Sequence, residues 1–74
     1  MNKENFDKKV ITIISKVLKV STKSVKSSSV ARDFETWDSL NNIKIFLEIQ
    51  KIKKKINISD YSKCKKVGDI FNID

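Results

Sequence analysis

At 74 residues and a formal charge of +7, from sixteen Lys and Arg against nine Asp and Glu, the chain (1–74) is sized for a single small domain with a modest core. It has no histidine and only one cysteine, Cys64, which removes the usual general base, Ser-His-Asp and Cys-His arrangements, an internal disulfide and a cysteine zinc cluster; no enzyme activity is expected. No apolar run approaches the ~18 residues that span a bilayer, and neither an export signal nor membrane insertion is read here, so a cytoplasmic location is expected.

Proline is absent and Gly68 is the sole glycine, which favours helices over sharply turned sheets. The first predicted helix covers 3–19 or 5–19. Phe6, Val10, Ile13, Ile14, Val17 and Leu18 recur at helical spacing and form one stripe, flanked by Ile11. Lys8, Lys9, Ser15, Lys16 and Lys19 fill the other faces, and Asn2 or Asn5 is the expected cap. Over residues 20–37 the pattern breaks into a serine-rich loop, which Val25, Val30, Phe34 and Trp37 are expected to pin to the core.

A second helix is predicted to start at Asp38-Ser39, with Asp38 as N-cap. Leu40, Ile43, Phe46, Leu47 and Ile49 or Gln50 form its inward stripe, extended by Ile52 and Ile56. Ile45 lies partly off that stripe, as a core flank or as an exposed apolar contact. The helix should fray within Lys53-Lys54-Lys55. Ser59 or Asp60 is then expected to cap a short helical turn ending near Lys63 or Cys64. A last short helix covers 67–73, with Val67, Ile70 and Phe71 inward and Gly68 in its first turn, where it permits a close approach. The expected fold is all-α: a small four-helix bundle of three longer helices and one short helix, with a long loop between helices one and two.

The charge is unevenly spread. Residues 31–48 carry Arg32 and Lys44 against Asp33, Glu35, Asp38 and Glu48, a net of −2; residues 49–66 carry seven lysines against Asp60, a net of +6. The lysine run at 53–55 invites a nucleic-acid reading. Base readout, however, calls for Arg, Asn or Gln on the lysine face, whereas Arg32 falls in the loop and Asn41 and Asn42 lie far from the run. No nucleic-acid partner is expected. Cys64, between Lys63 and Lys65, reads either as an incidental thiol or as one with a lowered pKa.

Ser39 stands at the loop-to-helix junction. A serine beside a capping aspartate is ordinarily part of the cap. The same junction also favours an anion, because the first-turn N–H groups and the helix dipole present positive charge there. No base is at hand to make Ser39 a catalytic nucleophile.

The stretch Asp33-Phe34-Glu35-Thr36-Trp37-Asp38-Ser39-Leu40-Asn41-Asn42-Ile43 resembles the phosphopantetheine attachment motif of the acyl carrier protein family. Its core is Asp38-Ser39-Leu40, with the apolar Ile43 three positions beyond, and the Trp-Asp-Ser-Leu form is similar to that of stand-alone carriers. Val17-Leu18-Lys19-Val20 resembles the family's end of helix one, Phe34 its pre-motif loop, and Phe46-Leu47-Glu48 the middle of helix two. Ile56-Asn57-Ile58-Ser59-Asp60 and Lys66-Val67-Gly68-Asp69-Ile70 resemble the starts of helices three and four, so the likeness runs in register over nearly the whole chain.

The resemblance implies that a phosphopantetheinyl transferase attaches 4'-phosphopantetheine, derived from coenzyme A, to Ser39 Oγ. The arm's thiol then holds an acyl or aminoacyl group as a thioester. A loading enzyme and a downstream synthase or transferase are the implied partners, in a specialised lipid or secondary-metabolite pathway, and the carrier is expected to be a monomer. Leu40 and Ile43 are implied either as partner contacts, or as lining for the cargo, or simply as core. A carrier-derived interaction domain that is no longer modified is the related alternative.

The chain departs from the family in two respects. The second helix shows Lys44, Gln50 and Lys51 where the family is acidic, which implies partners with less basic or acidic surfaces, or contacts through Leu40 and Ile45. Lys66 stands where a capping threonine is frequent.

Overall fold

The first amphipathic stretch folds as helix α1, Lys3–Leu18, in the computed structural model, which describes residues 3–73 and only the backbone of Lys3 and Glu4. Its inward stripe is the one the spacing predicts. Phe6, Val10, Ile14 and Leu18 are buried, with Ile11, Ile13 and Val17 half-buried beside them. Ser15, expected on an outer face, is buried instead. Its hydroxyl donates to the Thr12 carbonyl at 2.9 Å, so the polar group enters the packed face with a partner. Asn5 lies inside the helix and is not its cap; Asn2 is outside the described residues.

The end of α1 is set by Lys19, whose φ of 59° is the only positive value among the described non-glycine residues. The chain reverses there, and Val20 N–H donates to the Ser15 carbonyl at 3.0 Å, the six-residue closure of a Schellman turn. The loop that follows is ordered by local bonds. It contains two 3₁₀ turns, Thr22–Ser24 and Ala31–Asp33. Ser29 Oγ accepts Lys26 N–H at 2.9 Å, and the Asp33 carboxylate accepts Val30 N–H at 3.0 Å. Val25 is buried, while Val30, Phe34 and Trp37 are half-buried, as the anchoring expectation required. Thr36 Oγ1 donates to the Leu18 carbonyl at 3.0 Å and ties the loop's far end back to α1.

Helix α2, Ser39–Ile52, packs against α1 with Phe46 and Ile49 of the expected stripe inward, but turned so that Ile45 joins them and Leu40, Ile43 and Leu47 do not. Ile45, Phe46 and Ile49 face the core, and Ile45 is wholly buried. Leu40, Ile43 and Leu47 are 63, 52 and 50% exposed. The sequence holds two apolar stripes on this helix, and only one can face α1. The stripe through Ile45 and Ile49 continues into Ile52 and Ile56, which join the same core. The helix ends where the lysines begin, with Lys53 as C-cap. Lys53 is no part of a solvated run: its ammonium sits over the Phe6 ring, 4.9 Å from the centroid, and donates to the Ile73 carbonyl.

The bundle is completed by α3, Ile58–Ser62, and α4, Val67–Phe71. The four-helix arrangement with its long first loop matches expectation, but two helices are long and two have five residues each, rather than three long and one short. Each short helix has only enough buried anchors to support about one turn: Tyr61 in α3, and Val67 and Ile70 in α4. The cap of α3 is Asn57, whose Oδ1 accepts Asp60 N–H at 2.8 Å, and not Ser59 or Asp60. A cap needs extended backbone just before the first helical residue, and Asn57 has it.

Lys66 provides no side-chain bond at the start of α4; the Asp69 carboxylate compensates by accepting Lys65 N–H at 2.9 Å and Lys66 N–H at 3.3 Å. The next two donors are taken by the first loop: Val67 N–H bonds the Ser29 carbonyl at 2.9 Å, and Gly68 N–H bonds the Ser27 carbonyl at 2.8 Å. A Cβ at position 68 would stand 3.0 Å from that Ser27 oxygen, which is the close approach the glycine permits. Among the described residues no helix is long and apolar enough to cross a membrane.

Candidate functional site

Three bonds deliver the chain into α2 and fix the position of Ser39. Asp38 Oδ1 accepts Asn41 N–H at 2.9 Å, the predicted N-cap. The Asp38 carbonyl accepts Asn42 N–H at 2.8 Å. Asn41 Nδ2 reaches back to the Thr36 carbonyl at 2.7 Å and clamps the last loop residues against the first helical turn. Ser39 is then the first residue of the helix, and it is exposed. Its own N–H and that of Leu40 have no intrahelical acceptor, as in any first turn.

Beneath this junction is a polar hub that the sequence reading missed. Asn42 Oδ1 accepts Trp37 Nε1–H at 2.9 Å and Tyr61 Oη–H at 2.7 Å. The loop, α2 and α3 therefore meet at one side-chain oxygen. The available signal was spacing: Asn42 falls three and four residues before Ile45 and Phe46, on the stripe that proves to be buried. Tyr61 also packs its ring against Phe46, with centroids 5.3 Å apart. Burial, and secondarily the nearby Cys64, hold the tyrosine hydroxyl far above its ordinary pKa, so it remains a donor to Asn42.

Beside Ser39 the surface opens into a cavity of about 310 Å³, lined by Trp37, Asn42 and Tyr61 together with Cys64, Lys65 and Lys66. Ser39 and Asp38 form part of its lining. The cavity thus joins an exposed hydroxyl, an aromatic wall and two ammonium-bearing side chains. Cys64 is not the activated thiol that its lysine neighbours allowed for. Burial first, then the carboxylates of Asp69 and Asp60, push its pKa up, and its Sγ lies 3.7 Å from the Asp60 carbonyl as a weak donor. Among the described residues no group of three or more His, Cys, Asp or Glu is placed to hold a metal ion.

Of the residues considered for partner contact, Leu40 and Ile43 project into solvent and are not core, whereas Ile45 is core and cannot reach a partner. Comparison with family models, with curated proteins and with solved structures finds no match to this chain.

Proposed function

We propose that this small helical bundle is a carrier that bears 4'-phosphopantetheine on Ser39 and presents a bound acyl or aminoacyl group to separate enzymes, itself catalysing no step. The observation that carries this reading is the exposed Ser39 hydroxyl at the start of a 14-residue helix, on the rim of a cavity walled by Lys65 and Lys66. The residues present fit the group. A phosphodiester on Ser39 Oγ meets the positive end of α2, and the positively charged residues Lys65 and Lys66 line the same cavity. Asp38 opposes it at close range, but that carboxylate is engaged by Asn41 N–H.

When bound, the arm supplies a thiol that carries acyl groups as thioesters. The chain's part is positional. Asp38, Asn41 and Thr36 hold the junction rigid, so the hydroxyl stands at a fixed point for a transferase. The Asn42 hub keeps Trp37 and Tyr61 as a fixed wall beside it. The exposed Leu40 and Ile43 flank Ser39 on the same helix and suit contact with the enzymes that receive the cargo.

The test is direct. The protein is incubated with coenzyme A and a broad-specificity phosphopantetheinyl transferase, and its intact mass is measured. One phosphopantetheine added to the wild type and none to Ser39→Ala is the expected result. No addition, under conditions that fully modify a control carrier, would overturn the proposal.

A further inference from the structure

The outer surface between α1 and α2 carries a feature that the Ser39 site does not use. Two adjoining depressions, of about 560 and 370 Å³, have Glu48 and Lys51 in common and lie in succession along the helix pair as a groove. Val17 of α1 and Leu47 of α2 line the first; Ile13 and Ile52 line the second. The two helices therefore run antiparallel, and the groove follows them. Its floor is apolar, with Leu47 half exposed in it. Its rim is lysine: Lys8 and Lys9 from α1, Lys44 and Lys51 from α2, and Lys54 just past the end of that helix. Among the described residues Glu48 is the single carboxylate in the lining, and it pairs with Lys51 at 2.9 Å.

We infer that this groove docks an acidic amphipathic helix of a partner protein. A trough between two antiparallel helices is the shape that receives a third helix, with apolar anchors entering the floor. The rim then requires carboxylates on the flanks of that helix, since an excess of lysines over one glutamate attracts negative charge and rejects basic surfaces. A flat anionic bilayer does not fill a trough, and Glu48 at its centre opposes a uniform field of negative charge; a protein surface can place a cation there. Glu48 lies nine residues beyond Ser39, about 14 Å along the helix axis. The inference is independent of any modification of Ser39 and is tested on the unmodified chain.

The probe is a synthetic helical peptide with leucines along one stripe and glutamates flanking them, titrated into isotopically labelled protein at about 0.05 M salt. Amide shifts are expected along the groove, at Thr12, Ile13, Val17, Leu47 and Lys51, with affinity falling about tenfold by 0.5 M salt. Leu47→Ala should weaken binding about fivefold at unchanged net charge. The double variant Lys44→Glu/Lys51→Glu should lose the glutamate peptide and gain a version with lysines in place of the glutamates. Both variants replace exposed side chains, and an unchanged amide spectrum elsewhere verifies the fold. The inference is overturned if shifts spread evenly over all lysines, if Leu47→Ala has no effect, if phosphatidylglycerol vesicles bind more tightly than the peptide, or if the protein self-associates through this face instead.

Discussion

Trp37 and Tyr61, 24 positions apart in the chain, donate to the same oxygen, Asn42 Oδ1, at 2.9 and 2.7 Å. One amide side chain thereby fixes three things at once: the angle at which the loop enters α2, the rotation of α2 about its axis, and the seating of α3. Replacing Asn42 with leucine strips Trp37 of its acceptor and leaves Tyr61 only the longer bond to the residue 42 carbonyl, at 3.4 Å. A part-buried donor left unpaired costs at the lower end of about 1–3 kcal/mol, so a loss of about 2 kcal/mol is expected in urea unfolding followed by circular dichroism. Trp37 emission should shift to the red in the same variant. Asn42→Asp, which keeps an acceptor oxygen, should lose less.

The phase of α2 shows where sequence reading succeeds and fails. Helix α1 was legible because it has a single apolar stripe, and Phe6, Val10, Ile14 and Leu18 have nowhere else to go. Helix α2 has apolar residues on two sides, so periodicity placed Phe46, Ile49 and Ile52 inward but did not choose between Ile45 and Leu40–Ile43–Leu47 as their companions. The choice is made by a polar residue, through bonds to partners 5 and 19 positions away. The junction at Ser39 was readable, since the Asp38 cap is local. The cavity beside it was not, because Tyr61, Lys65 and Lys66 reach it only through the fold.

Gly68→Ala should destabilise the protein even though alanine is the better helix former by about 1 kcal/mol. The added Cβ would sit 3.0 Å from the Ser27 carbonyl oxygen, a backbone atom that itself accepts Gly68 N–H. Relieving the contact lengthens that bond, and a net loss of about 1–2 kcal/mol is expected from thermal unfolding. Gly68→Val should lose more.

Lys19→Gly should do the opposite. The left-handed backbone at Lys19 costs a non-glycine residue about 1 kcal/mol, and the side chain is exposed. Relief of that strain, partly offset by the greater freedom of glycine in the unfolded chain, predicts a gain of about 0.5–1 kcal/mol by chemical denaturation.

Stability should fall at both ends of the pH scale, for different reasons. The backbone N–H of Lys65, helped by that of Lys66 and by both ammonium groups, holds the Asp69 carboxyl below its ordinary range. Its contribution is present above the unfolded-state value near pH 4 and is lost as pH falls through the lower folded value. Asp69→Asn should flatten that acid limb in a pH series of melting temperatures. Tyr61 has the reverse sign. Its folded pKa is raised by burial, so its contribution is complete below about pH 10 and declines as the unfolded tyrosine ionises. Tyr61→Phe should reduce the alkaline slope, leaving the part due to the raised Cys64 thiol, and, by taking one donor from Asn42, cost about 1 kcal/mol at neutral pH.

The two bonds from Val67 and Gly68 to the Ser29 and Ser27 carbonyls make the C-terminal helix a latch on the loop that leads to Ser39. Residues almost forty positions apart in the chain thus open together or not at all. In hydrogen exchange, the amides of Val67 and Gly68 should slow and quicken in step with the Trp37 indole N–H, as parts of one cooperative unit. Prying the loop away from Ser39 must therefore also release α4, and trimming α4 would loosen the surroundings of a serine it never touches.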